Sequence, residues 1–313
     1  LQTIVSSSGL NMDCQSYQPV HEFINGQYIG VLNIREPNNK HYVYANYGWD
    51  DDEIDQWEMS PDSGYVQKCG TDEAFLELVD VLSPDAANSE TYAEICRLLD
   101  IDSYVNYMAL EMYLGGTDWP QNNVKAFRLR DGGKFRFVLF DLDGTFATNN
   151  PFNTFMNKET YTFDQLYPTS LGRITDHIRF VTLFKNMLQN SDFRRRFIDA
   201  FCMMGGSVFE AERATQIIND LQSRVQDAMT LEGMQGYLSN TANNLRSNLS
   251  TSRNYNLVNA LKNYSQFDLY STDMQAVTLS SDAEGAQLLI NGMRVPTGQF
   301  KGYLFRPAML KAV

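Results

Sequence analysis

The sequence predicts an α+β fold, and three observations carry that prediction. In the first half of the chain, Asn25-Gly26 and Asp131-Gly132 each sit between alternating apolar runs, which is the signature of a β-hairpin. From about residue 177 to residue 263 the apolar positions recur at helical spacing instead. After Phe267 the alternation returns around Asn291-Gly292. A chain of 313 residues, 43% hydrophobic and 12% aromatic, builds a globular body of ordinary core size with a small appendage.

Taken in order, residues 1–11 read as the tail of a helix, and residues 20–24 and 28–34 as two strands about Asn25-Gly26. Residues 50–70 open with Asp50-Asp51-Asp52-Glu53, are polar and turn-rich, and predict an exposed excursion without chemistry. A short helix is expected over 71–82. Residues 104–114 form a mostly apolar helix begun near Asp102 or Ser103 and stopped by Gly115-Gly116. Its Met and Tyr side chains are core packing. Residues 124–130 and 134–140 are strands joined by Asp131-Gly132-Gly133, and a polar, aromatic-bearing loop spans 150–170. Helices follow over 177–189, 192–204, 209–229, 234–246 and 252–263, with Arg194-Arg195-Arg196 as a solvated helix face. Strands at 276–279, 286–290 and 303–305 complete the appendage.

A net charge of -13 opposes non-specific binding to nucleic acid or anionic membranes, since phosphate surfaces demand an excess of Lys and Arg. The same field favours a basic, Lys- or Arg-rich peptide partner. Cys14, Cys69, Cys96 and Cys202 show no CxxC spacing, and His21, His41 and His177 lie far apart, so no zinc site is expected. Cys96 and Cys202 fall in helical apolar patterns and read as buried thiols, with pairing left open. No apolar run reaches the ~18 residues of a transmembrane helix.

The chemistry concentrates in two motifs. Gly116-Thr117-Asp118-Trp119-Pro120-Gln121-Asn122-Asn123 offers an aspartate with an amide five positions later. One hairpin further on, the apolar run Phe135 to Phe140 ends in Asp141-Leu142-Asp143-Gly144-Thr145. Protein kinases use an Asp to accept the substrate hydroxyl proton, an Asn five residues on to bind magnesium, and a later strand-end Asp to bind magnesium as well. The intervening hairpin returns Asp141 to the side of Asn123. Read singly, Asp118, Asn123 and Asp141 are also ordinary helix caps and strand ends.

These motifs, together with Phe23-Ile24-Asn25-Gly26-Gln27-Tyr28-Ile29-Gly30 and its continuation to Glu36, and with Leu183 to Phe197, resemble the CotH family of spore-coat and secreted atypical kinases over roughly residues 17–269. The resemblance implies a protein-kinase-like arrangement: a small-lobe and hinge remnant over 1–49, a mainly helical large lobe over 50–269, and a β appendage over 270–313. It implies Asp118 as catalytic aspartate, Asn123 with Asn122 as magnesium ligands, Asp141 as the principal metal aspartate with Asp143 close by, and Glu36 near the hinge facing the adenine. ATP and Mg2+ are the implied cofactors and a protein Ser or Thr hydroxyl the implied acceptor, in a secreted or cell-envelope setting.

Two other readings stand beside it. Val138 to Thr145 also matches the first motif of haloacid-dehalogenase-type phosphatases, with Asp141 as nucleophile and Asp143 as general acid. That family needs alternating strands and helices downstream, where helical patterns dominate here. A non-catalytic surface module that keeps the kinase fold is the other. The residues before Val20 hold no glycine-rich phosphate loop and no strand with a central Lys, so the chain is expected to be part of a longer protein and weak in catalysis alone.

Overall fold

Turn chemistry organises the first part of the molecule. The computed structural model describes residues 1–60, 63–81, 88–116, 118–146 and 176–313, with side chains from residue 180 onward in the last stretch. After a short helix α1 (Gln2–Ser6) and strand β1 (Asp13–Cys14), β2 (Tyr17–Ile24) and β3 (Gln27–Arg35) form an antiparallel hairpin. Asn25 (φ 51°) and Gly26 (φ 79°) both adopt positive φ, the geometry that a two-residue turn between right-twisted strands requires. Among the described residues this pair joins no other sheet, and Phe23, Ile29 and Ile34 lie exposed on it.

Helix α2 (Lys40–Tyr47) was not foreseen; Asn39 caps its start through the His41 N–H and Gly48 (φ 71°) closes its end. The expected excursion over 50–70 is instead two strands, β4 (Ile54–Ser60) and β5 (Gly64–Cys69), and β4 is an interior strand of the main sheet. The polar residues misled because Asp55 is buried yet paired with Arg128 and Arg130, while Trp57 and Met59 enter the core. Buried charges are tolerated when they are paired in this way.

Helices α3 (Glu73–Val81), α4 (Ser89–Leu98) and α5 (Ile101–Leu114) follow, then β6 (Val124–Leu129) and β7 (Arg136–Leu139). The main sheet has the order β1-β7-β6-β4-β5, parallel only between β1 and β7. Helix α5 starts at the Asp100 cap, whose side chain accepts from the Ser103 N–H, and stops at Gly115 in the left-handed region. Every position from 103 to 114 is buried. Tyr107 stacks on Phe137 of β7 with ring centroids 5.0 Å apart, and the Phe137 N–H donates to Ser103 Oγ at 3.1 Å.

The expected loop over 150–170 lies outside the described residues. Beyond it run α6 (Asp176–Met187), α7 (Ser191–Met203), a π turn over Met204–Val208, α8 (Ala211–Leu231), α9 (Gln235–Asn248) and α10 (Thr251–Ala260). No helix among the described residues is long and apolar enough to cross a membrane. The Arg194-Arg195-Arg196 run is a solvated face only at Arg196, which is exposed, while Arg194 and Arg195 are partly buried. Arg194 donates to the Leu188 carbonyl, Arg195 to the Asp199 carboxylate and the Phe305 carbonyl, and Arg196 pairs with Asp102.

Strands β8 (Met274–Leu279), β9 (Leu288–Ile290), β10 (Met293–Arg294), β11 (Phe300–Phe305) and β12 (Leu310–Ala312) form two small sheets. Their Ile290, Val295, Phe300, Leu304 and Phe305 belong to the same buried cluster as α5 and α7. Contact is closest at Gly206 in the π turn, where a Cβ would collide with the Phe300 ring. All four cysteines are free; Cys202 is buried as expected and Cys96 is half-buried.

One guanidinium ties the elements that precede the candidate site. Arg136 donates to Asp13 at 3.0 Å, to the Tyr47 hydroxyl at 3.0 Å, to Asp100 at 2.5 Å and to Asn11 at 2.7 Å, joining β1, α2, the α5 cap and β7. Asp13 is 6% exposed. Arg136→Ala leaves that buried carboxylate without its counter-charge and should cost about 3 kcal/mol, read as a lower urea midpoint at unchanged slope.

Candidate active site

The site begins where α5 ends. Gly115 turns the chain out of the helix, donating its N–H to the Glu111 carbonyl at 2.9 Å, and residues 118–123 then pass back over the helix before β6 starts. That passage is pinned from below by Tyr107, whose hydroxyl accepts from Trp119 Nε1 at 2.9 Å and donates to the Asn123 carbonyl at 3.1 Å. A buried tyrosine hydroxyl with a donor and an acceptor in place holds two points of the loop at once.

Asp118 faces the two amides that follow it. Its Oδ2 accepts from Asn122 Nδ2 at 2.8 Å and from Asn123 Nδ2 at 3.3 Å. The hairpin then does what its turn predicts: Ala126 pairs with Phe137 and Phe127 with Arg136, and continuing that register places Asn123 opposite Phe140, next to Asp141. Asn123 (φ 57°) and Asp141 (φ 50°) both lie in the left-handed region, which Asn and Asp tolerate better than other side chains. Such conformations cluster where function over-determines the backbone.

Two cavities meet at Asp141. The smaller, about 10 Å³, is bordered by Asp118, Asn123, Asp141 and Glu111; the larger, about 580 Å³, has Asp141 and Asp143 on one side and β3 on another. The structure therefore brings Asp118, Asn123 and Asp141 together, with Asp143 adjoining. Burial, the neighbouring Asp143 carboxyl and its hydrogen bond, and the charge of Asp118 push the Asp141 carboxyl above its ordinary range, and Arg35 pulls it back. Glu36 borders neither cavity. Its carboxylate accepts from the Ser16 N–H at 3.1 Å and from the Asn46 amide at 2.7 Å, closing the base of the β2–β3 hairpin.

Two residues near the centre escaped the sequence reading. Arg35 reaches the large cavity from the last position of β3. Glu111 is 3% exposed on α5, and among the described residues its Oε1 has no hydrogen-bond partner. Burial alone drives its pKa up to about 8. The signal was present: Glu111 is the single acid in the apolar run Tyr104 to Leu114, one turn after Tyr107.

Among the described residues no three His, Cys, Asp or Glu side chains stand close enough to cage a metal ion. The donors present are oxygens, from two adjacent carboxyls and an amide at the rim of an open cavity. This suits magnesium, which keeps several waters and shares itself between one or two carboxylates and a substrate phosphate. Crowding of Asp118, Asp141 and Asp143 is the unfavourable charge that such a cation relieves.

Removing the Tyr107 hydroxyl should loosen the loop. Tyr107→Phe takes away the acceptor of the Trp119 indole and the donor to the Asn123 carbonyl, and should cost about 1–3 kcal/mol by chemical denaturation. Glu111 predicts a pH dependence. Its carboxyl titrates near 4.5 when unfolded and near 8 when folded, so between those values the folded chain holds the extra proton. Stability then falls as pH rises through that window, by at most about 1.4 kcal/mol per unit. Glu111→Gln has no such proton to lose and should flatten the slope, measured as urea stability at about pH 5.5 and about pH 7.5.

Asp141 and Asp143 leave a strand whose sheet is antiparallel except at β1, unlike the alternating parallel sheet that a dehalogenase-type phosphatase builds around its aspartates. No curated protein matches the chain significantly. A family model described as CotH kinase protein matches residues 6–267, most of the chain and all of the site just described. On that match, the chain belongs to the CotH kinase family.

Proposed function

We propose that this protein transfers the γ-phosphoryl group of ATP to a Ser or Thr hydroxyl of a protein substrate in a secreted or cell-envelope setting. The observation that carries the reading is the convergence of Asp118, Asn123 and Asp141 on one small gap, with Asp141 also forming the wall of a 580 Å³ cavity. That volume lies in the range of small-molecule sites. The family match supports a kinase-like activity, and the acidic surface of a chain with net charge -13 favours a basic substrate segment.

In this reading Asp118 faces the acceptor hydroxyl, orients it and takes its proton as the oxygen bonds to the γ-phosphorus and the bond to the β-bridging oxygen breaks, releasing ADP. Asn122 and Asn123 hold Asp118 through its Oδ2. Asn123 and Asp141, with Asp143 and Asn122, would hold magnesium. Bound there, the ion neutralises charge on the phosphoryl oxygens. Positioning and electrostatics supply nearly all the catalysis in such transfers, which fits a site whose loop is fastened to a buried helix.

Calorimetric titration of ATP with and without magnesium tests the reading. Wild type should bind ATP in a magnesium-dependent way, Asp141→Ala should weaken that binding at least ~10-fold, and Asp118→Asn should keep binding while lowering any transfer rate by about 10²–10⁴. Magnesium-dependent binding with no transfer to any acceptor would instead mark a scaffold that retains the nucleotide site. Binding that is indifferent to Asp141 would sink the proposal.

A further inference from the structure

Besides Leu1, Gln2 and Thr3 at the start of α1, the large cavity has three walls of different character. One is the acidic end of the chain segment after β7, with Asp141 and Asp143. The second is α9, whose Tyr237, Thr241, Asn244 and Asn248 line the cavity at helical spacing, so that one uncharged polar face of that helix looks inward. The third is the hairpin. Asn33 and Arg35 alternate on β3 and point to the same side, and Tyr17 stands directly across from Arg35 in the β2–β3 register; all three border the cavity.

Among the described residues Arg35 is the only cationic side chain on these walls, and its guanidinium makes no hydrogen bond or ion pair with any of them. Four arginines of the main sheet and α7 are committed to carboxylates, Arg128 and Arg130 to Asp55, Arg136 to Asp13 and Asp100, and Arg195 to Asp199, and Arg253 is stacked on the Tyr113 and Phe146 rings with one nitrogen bonded to the Tyr113 carbonyl. Arg35 and the Asp141 and Asp143 carboxyls border the same cavity. An uncommitted guanidinium facing two carboxyls over an open cavity is arranged for a ligand that is itself anionic and sits between them.

We infer that Arg35 is the phosphate-binding cation of this site, clamping the triphosphate of the nucleotide from the hairpin side, across the cavity from Asp141 and Asp143. The inference rests on the proposed kinase reading and adds to it the residue that holds the phosphates. A triphosphate brings several negative charges beside Asp141 and Asp143, and a divalent ion alone leaves part of that charge uncompensated. The planar fork of an arginine supplies parallel donors to phosphate oxygens, in a geometry that a lysine matches only as a point charge. Arg35 thus does from the end of β3 what a strand lysine does in other kinases.

The test is calorimetry at saturating magnesium with three probes: ATP, inorganic tripolyphosphate and adenosine. It compares wild type with Arg35→Ala, Arg35→Lys and, as a control on the opposite face of the same strand, Ile34→Ala. Arg35→Ala should weaken ATP and tripolyphosphate by about 10- to 100-fold while adenosine changes less than about 2-fold. Arg35→Lys should fall between, and Ile34→Ala should match wild type. The inference is overturned if Arg35→Ala binds both phosphates as wild type does, which leaves the kinase reading standing. It is also overturned if adenosine is lost in parallel, because the arginine would then only shape the hairpin. Arg35-dependent binding of tripolyphosphate with no preference for ATP upholds the clamp and removes the kinase reading. Wild type binding neither phosphate overturns both.

Discussion

A helix with no solvent face is the constraint on which the rest of this molecule depends. Positions 103 to 114 of α5 are all buried, between β7 on one side and α7 on the other, with Tyr104 touching both Phe137 and Phe193. Such a helix cannot rotate or slide without disturbing a packed core, since interiors are as dense as organic crystals. Everything chemical is referred to it: the loop carrying Asp118 and Asn123 is hung from its Tyr107 hydroxyl, and the strand leading to Asp141 is laid along it. The site inherits the rigidity of the core although its own carboxylates are near the surface.

Legibility in the sequence followed how local the determining physics is. The Asn25-Gly26 and Asn291-Gly292 turns were readable because positive φ at two successive positions leaves few residue choices, and both have it. The return of Asp141 to Asn123 was readable for the same reason, since a hairpin has only one place to go. Strand β4 was not, because the burial of Asp55 depends on Arg128 and Arg130, more than seventy residues downstream. The solvated-face reading of Arg194-Arg195-Arg196 holds at Arg196 and fails at Arg195 for a similar reason: its partner, the Phe305 carbonyl, lies far away in the chain. Periodicity sees one face of one element and says nothing of what another brings to it.

The candidate site divides along that line too. Asp118, Asn123 and Asp141 could be named from spacing, but Arg35 and Glu111 could not be attached to them, because nothing in the order of residues says that the end of β3 and the buried acid of α5 border the same two cavities. The electrostatic character of the centre depends on those additions. Three aspartates alone repel one another; with Arg35 on one side and a carboxyl driven toward its neutral form below, the cluster becomes compatible with a folded protein before any cation arrives.

Among the described residues the hairpin that closes the cavity belongs to no larger sheet, and it is fastened at its two ends by carboxylates. Glu36 grips its base through Ser16 and Asn46, and Glu232, just past α8, receives the Tyr28 hydroxyl at 2.6 Å and the Val31 N–H at 2.8 Å. Both fastenings are polar and near solvent, whereas the floor of the cavity is locked into the core. Floor and roof therefore differ in compliance. A ligand in that cavity would have a stiff surface to register against and a compliant one to push aside, and the compliant one is the side that carries Arg35.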